Sequence, residues 1–255
     1  MRNRVTPTGD IVATTLRGAW MGNRGVLHEG TSIVRFHRSK LWIMCALQYR
    51  DWRAPQWAPG HYTVLCQQSD VSLRGAHNLG NAAAAAAAAT TLGVTPDTIA
   101  HGLQRFRALP HRLELVATKE GVEYYNDSKA TTPVSTIRAL EAFEQPIVLL
   151  AGGYDKGTPF DELGQVIHAR ARAALLYGKT ASKLALAVQQ AAAAAPDLPA
   201  PLLLQLPDLS TALQQAATLA QPGDVVLLSP ACASYDQYPH YEARGAHFRT
   251  LVQAL

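Results

Sequence analysis

Three short polar segments carry most of the chemistry this sequence can offer. Asn126-Asp127-Ser128-Lys129-Ala130-Thr131-Thr132-Pro133 follows the apolar run 122–125. Gly152-Gly153-Tyr154-Asp155-Lys156-Gly157 follows the run 147–151, and Pro230-Ala231-Cys232-Ala233-Ser234-Tyr235-Asp236-Gln237-Tyr238 follows the run 225–229. Together they hold two lysines, several hydroxyls and three carboxylates. A lysine for each anion suits a small zwitterion or diacid. Hydroxyls and helix-start N–H groups can complete the hydrogen bonds of a bound carboxylate. Taken singly, each segment is ordinary. Asn-Asp-Ser after a strand makes turns and caps, Gly-Gly with Asp-Lys-Gly makes turns, and Cys232 reads as a small buried apolar group. Their common position, each at the end of an apolar run, is what joins them.

Two further clusters stand upstream. Arg74-Gly75-Ala76-His77-Asn78, then Asn81, precede eight consecutive alanines, 82–89. Asparagines three apart at a helix start share one face and can read the edge of a base. His111-Arg112 sits where a hinge between domains is expected, and its arginine is either a surface linker residue or a phosphate clamp.

Parallel strands alternating with helices would position such segments. Strand-like runs fall at 113–118, 122–125, 147–151, 173–177, 202–206 and 225–229, with helical stretches at 134–143, 160–170, 181–194, 209–219 and 241–255. The first two runs, joined by Lys119-Glu120-Gly121, read as a hairpin. The pattern predicts an α/β domain over 111–255 with a mostly parallel, Rossmann-like sheet and helices on both faces. Ligands of such sheets collect at the carboxyl ends of the strands. Lys129, Lys156 and Ser234 are therefore expected along one edge. Before it, the alanine run reads as a helix and 98–106 as another, with Thr95 as an N-cap before Pro96. Residues 1–70 yield little beyond strand-like pieces at 32–36 and 41–47 and a Pro- and Trp-containing loop at 51–60.

Composition narrows the classes. The chain has 255 residues, 48% hydrophobic and 16% charged, with a formal net charge of +4. That excludes extensive disorder and allows one large core or two modest ones. The basic residues are scattered without an aromatic-laced stripe, so nucleic acid is not expected as a partner. Cys45, Cys66 and Cys232 are far apart, against a disulfide framework or a zinc site and in favour of a cytoplasmic protein. No apolar run is long enough to span a membrane.

The segments LRGAHNLGNAAAAAAA, LPHRLE, YYNDSKATTP, VLLAGGYDKG and LLSPACASYDQY occur in the order and spacing of the Mur ligase family. The chain resembles the branch that adds D-glutamate to UDP-N-acetylmuramoyl-L-alanine, almost continuously over 73–255. Sequences of the DYAHTP, DDYGHHP or DAYNANP kind, found in sister branches, are absent. The resemblance implies a remnant of the central ATP-binding domain over 1–110, with Gly18-Ala19-Trp20 and 25–29 as a strand and turn near its end, and the amino-acid-binding domain over 111–255. It implies ATP and Mg2+ as cofactors. ATP phosphorylates a carboxylate, and the amine of D-glutamate attacks the acyl phosphate through a tetrahedral intermediate.

Residue by residue, the resemblance places Asn78 and Asn81 near the nucleotide, Asn81 at the adenine, with His77 in support. It places Arg112 at the ATP phosphates, Asp127 at the ribose and Lys129 in the reaction cleft. Thr131, Lys156, Ser234 and Tyr235 fall in the D-glutamate pocket, the last two partly through backbone groups, and Tyr241 supplies an aromatic wall. The 255 residues contain neither G-x-x-x-x-G-K-[ST] nor GTNGK[ST], and the family's metal ligands lie upstream of every matched segment. The expectation is a piece of a ligase, inactive alone and monomeric unless a partner chain supplies the amino-terminal half, with an uncovered apolar face on the alanine helix. Two alternatives stay open: a non-catalytic D-glutamate-binding remnant, or another amide ligase of the Mur and folylpolyglutamate type.

Overall fold

The apolar runs of the second half alternate faces residue by residue, and the sheet they form is covered on both sides. The computed structural model describes residues 4–5, 11–21, 27–37, 40–46, 62–67, 71 and 73–255. Two units separate, Met1–Arg107 and Ala108–Leu255.

In the first unit, β1 (Arg4–Val5), β2 (Ile11–Met21), β3 (Leu27–His37), β4 (Lys40–Ala46) and β5 (Tyr62–Gln67) form an antiparallel sheet in sequence order. Sequence reading finds β3, β4 and, at Gly18-Ala19-Trp20, part of β2, but not β1 or β5, and the turn expected at 25–29 runs into the start of β3. The expected loop at 51–60 lies outside the described residues. The alanine run forms α1 (Ala76–Thr91), and α2 spans Pro96–Arg105. Thr95 is the N-cap residue, yet its hydroxyl makes no cap bond and lies 2.9 Å from the Thr98 hydroxyl. Pro96 at the first helical position needs no donor partner and has its φ already set. The expectation of an uncovered face on α1 needs correction. Ala83, Ala86 and Ala87 are buried, and α1 lies along β2 and β3. What stays open is an apolar groove of about 450 Å3 between α1 and α2, lined by Val71, Leu73, Ala85, Ala89, Ile99 and Phe106 among others.

In the second unit, β6 (Glu114–Lys119) and β7 (Val122–Asn126) form an antiparallel hairpin. Then follow α3 (Pro133–Leu140), β8 (Ile147–Gly152), α4 (Asp161–Arg170), β9 (Ala171–Tyr177) and α5 (Ala181–Ala194). β10 (Leu202–Leu206), α6 (Leu209–Leu219), β11 (Val225–Leu228) and α7 (Tyr241–Ala254) complete it. The order is β10-β9-β8-β11-β7-β6, parallel except for β6. Leu149 and Leu227 pack with Ile137, Leu163, Ile167 and Leu184 of α3, α4 and α5. Their strand neighbours Leu150 and Leu228 pack with Leu213 and Phe248 of α6 and α7. That alternation of paired rows is why the strands read as continuous apolar runs. Each fully buried leucine contributes about 1.5–3 kcal/mol by leaving water.

Three expected boundaries shift for local reasons. α3 stops at Leu140, where Glu141 caps it, and Phe143 reaches the core from a turn, its ring 4.8 Å from that of Tyr125. Leu113 lies before β6, with a left-handed φ of 45°. Ser229 lies beyond β11, its hydroxyl turned to Asp127. No described helix is long and apolar enough to cross a membrane.

Candidate functional site

β7, β11 and β8 are parallel neighbours, so their three following segments emerge side by side. Backbone bonds stitch them together: Asp127 N–H to Leu228 C=O at 2.8 Å, Gly152 N–H to Pro230 C=O at 2.9 Å, and Tyr154 N–H to Ala233 C=O at 2.8 Å. Lys129, Lys156 and Ser234 thus follow adjacent strand ends of one sheet edge. A fourth segment, Gly178-Lys179-Thr180 after β9, joins them. Gly153 N–H donates to Thr180 Oγ1 at 3.1 Å, and Lys179 N–H donates to Asp236 Oδ2 at 3.1 Å. Sequence reading passed over this segment, although a polar turn after the run 173–177 was its signal.

Asn126 organises the first segment from a fully buried position. Its Nδ2 reaches His111 Nδ1 at 3.0 Å and Gly245 C=O at 3.1 Å, and its Oδ1 accepts from Ser128 N–H at 3.1 Å. A donor at Nδ1 favours neutral imidazole, in line with burial lowering the His111 pKa. Lys129 N–H donates to His111 C=O at 3.0 Å. A Cβ at Gly245 would overlap the His111 ring, so that glycine keeps His111, and through it Lys129, in place. The Lys129 ammonium is exposed and stands 5.7 Å from the centre of the Tyr241 ring, a cation–π contact.

Asp127 is buried and holds the strand ends together. Its Oδ1 accepts from Leu113 N–H at 3.2 Å and its Oδ2 from Ser229 Oγ at 2.8 Å. Burial raises its pKa to about 7, against the pull of those two bonds and of the Arg112 charge. Arg112 is exposed. Thr131 is half-buried in the same segment. Ser234 is buried, its Oγ has no hydrogen-bond partner, and its carbonyl accepts from Gln237 and Tyr238 N–H. Lys156 is exposed. Its neighbour Asp155 pairs with Lys183, which holds that carboxyl below its usual range. Tyr235 and Tyr154 are exposed and meet edge to face at 6.2 Å, with the Lys179 ammonium 6.0 Å from the Tyr154 ring. The outer edge is thus cationic and aromatic. Beneath it lie buried hydroxyl and amide groups.

His77, Asn78 and Asn81 belong to the first unit, in the first turns of α1. Asn78 Nδ2 donates to Arg74 C=O at 2.8 Å, so this amide ties down the helix start. Asn81 is exposed, and its Nδ2 lies 3.4 Å from Asn78 Oδ1. Among the described residues no three His, Cys, Asp or Glu side chains converge as a metal site.

This sheet, with its polar carboxyl-end segments, coincides with a known domain type: residues 111–232 match the family model "Mur ligase, glutamate ligase domain", so the second unit carries a Mur ligase domain and the chain is similar to that family. More particularly, it is 42% identical over 218 residues to a protein of Roseiflexus sp. (strain RS-1) named UDP-N-acetylmuramoylalanine–D-glutamate ligase, covering 86% of this chain and 45% of that protein. A protein of the same name from Salinibacter ruber is 42% identical over 207 residues, covering 81% and 43%. The chain spans less than half the length of these curated relatives. Among solved structures, the UDP-N-acetylmuramate–alanine ligase MurC of Thermotoga maritima superposes with a TM-score of 0.57 at 15% identity, over 85% of this chain and 44% of that one. MurF of Acinetobacter baumannii gives 0.52 at 17%, over 89% and 42%. At such identities the likeness is one of fold.

Proposed function

We propose that this chain is part of an ATP-dependent ligase that joins D-glutamate to UDP-N-acetylmuramoyl-L-alanine in peptidoglycan precursor synthesis, and that its second unit receives D-glutamate. The observation that carries this reading is the convergence of the Lys129, Lys156 and Ser234 segments on one sheet edge. In this reading Lys156 neutralises one carboxylate and Thr131 and Ser234, with the backbone of Tyr235, bind the other. Lys129, held by His111 and Tyr241, faces the developing negative charge, and Tyr241 walls the aliphatic chain. The unpartnered Ser234 Oγ suits a ligand oxygen, because a buried hydroxyl without a partner is costly.

ATP, when bound, supplies the phosphoryl group that activates the acceptor carboxylate. Asn81 is proposed to meet the adenine, with Asn78 and His77 behind it. Arg112 is proposed for the phosphates and Asp127 for the ribose. The family's Mg2+ ligands are expected upstream of the matched segments, and among the described residues no three His, Cys, Asp or Glu side chains converge. The 255 residues carry no glycine-rich loop to cradle the β- and γ-phosphates. By itself, then, this polypeptide should release no phosphate from ATP when given D-glutamate and UDP-N-acetylmuramoyl-L-alanine. Release above a buffer control would refute that.

Titration calorimetry tests the amino-acid site directly. D-Glutamate should bind, and Lys156→Ala should weaken it at least about 10-fold, the worth of one charge-assisted hydrogen bond. Silence from the unaltered chain at millimolar ligand would mean that the unit keeps the shape of such a domain without its site.

A further inference from the structure

Arg244 is fully buried in the first turn of α7. A helix start is the end at which a cation is least favoured. Among the described residues no carboxylate pairs with it. Stability alone would favour an apolar residue, since uncompensated buried charges are expensive. Its donors, however, reach two of the polar segments at once. Nε donates to Ser128 Oγ at 3.0 Å, and Nη2 donates to Ser128 C=O at 2.9 Å and to Cys232 C=O at 3.0 Å. Nη1 has no partner and lies beside Gly153, 3.3 Å from where a Cβ there would stand. Ser128 Oγ donates onward to Tyr241 C=O at 2.7 Å, closing a ring through the first turn of α7.

We propose that Arg244 is a positioning residue, a rigid spacer that sets the separation of the segments carrying Lys129, Lys156 and Ser234. The inference rests on the D-glutamate reading above and deepens it. Each anchor lies close in sequence to a proposed ligand contact: Ser128 precedes Lys129, Cys232 is two residues before Ser234, and Gly153 is three before Lys156. Guanidinium suits this task because it is planar and its five N–H groups point in fixed directions. A diacid gripped from two segments senses their separation, and each charge-assisted hydrogen bond pulled out of range costs about 10-fold in affinity. Tyr177 Oη, buried without a partner, and Thr180 Oγ1, which bonds Gly153, complete the buried polar layer beneath the edge.

The test compares the unaltered chain with Arg244→Lys and Arg244→Met, reading D-glutamate affinity by calorimetry and amide hydrogen exchange by NMR. Both variants should keep the protection of the β8 and β11 amides. Both should lose protection at 128–131 and at Tyr154, Gln237 and Tyr238, whose amides bond the carbonyls of Ala233 and Ser234, and bind D-glutamate about 10- to 100-fold more weakly, the worth of one or two charge-assisted hydrogen bonds. Lysine fails despite keeping the charge, because one ammonium cannot span both segments. Wild-type affinity in a folded variant, or protection lost evenly across the sheet, would overturn the proposal. If the unaltered chain binds no D-glutamate, the functional reading falls. The exchange pattern then decides the spacer role alone: loss confined to these amides supports it, and no change sinks it. Should both arginine variants fail to fold, Ser128→Ala removes one acceptor and leaves the charge. It should give the same local pattern with about a 3- to 10-fold loss of affinity, and an unchanged pattern would overturn the proposal.

Discussion

Gly152→Ala should destabilise the second unit by more than about 4 kcal/mol, beyond the range of ordinary substitutions. Gly152 closes β8 opposite Tyr177 of β9, at a φ of 131°. Only glycine occupies that region readily, and another residue there costs about 1–3 kcal/mol in backbone strain. The added methyl would also overlap the Tyr177 carbonyl. That neighbour is backbone, so relief requires parting β8 from β9 in the middle of the sheet. The same residue donates its N–H to Pro230 C=O, so the damage reaches the junction of two polar segments. Urea unfolding followed by circular dichroism measures the loss. A cost below about 1 kcal/mol would show that the strand end is looser than described.

Between pH 4 and 7 the stability of the second unit should fall by about 4 kcal/mol on account of Asp127 alone. Its carboxyl ionises at 3.8 when unperturbed and at about 7 in the folded chain. Between those values the native state keeps a proton that the unfolded chain has released. Unfolding then sheds a proton, so rising pH favours it, by about 1.4 kcal/mol per pH unit. The contribution is fully present below pH 3.8 and gone above 7. Asp208 and Asp155 have lowered values and act oppositely, at the acid end. The measurement is therefore the difference between the unaltered chain and Asp127→Asn, by urea unfolding from pH 4 to 8. The asparagine can still accept from Leu113 N–H and donate to Ser229. The two curves should converge at low pH and part toward pH 8, with the variant the more stable. Parallel curves would show that this carboxyl titrates normally.

The fold of the second unit was legible wherever local pattern and tertiary fate agree. β8 and β11 are buried on both faces, so their apolar runs could hardly be anything else. α3 was overextended because Phe143 continues its apolar spacing, and only the core contact with Tyr125 shows that it arrives from a turn. The polar segments were visible because lysines and hydroxyls directly after an apolar run are conspicuous. What escaped were the residues that act through distant partners: Asn126, His111 as a brace, Thr180 and Arg244. Their contacts join positions from 15 to 119 apart in the chain, so even where the segment is conspicuous, as at Asn126, His111 and Thr180, the bracing partner is not. In the first unit, β2 lacks a clear two-residue alternation, with Thr14-Thr15 and Arg17 set among apolar residues. Without that period a strand has no signature of its own.

The first strand and the last helix of the second unit are clasped together. Glu114 accepts from Arg249 at 2.7 Å, and the Lys119 ammonium reaches the Gln253 carbonyl at 3.1 Å. The two elements therefore run side by side, with the end of α7 beside Lys119 and His111 against Gly245 at the other end of β6. A linker from Leu255 back to Ala108 that runs the length of β6, about 20 Å, with a new opening in the exposed stretch 195–200 between α5 and β10, would leave every strand pairing intact. Such a circular permutant offers fresh termini far from the ligand-facing edge, where a reporter or a tether can be attached.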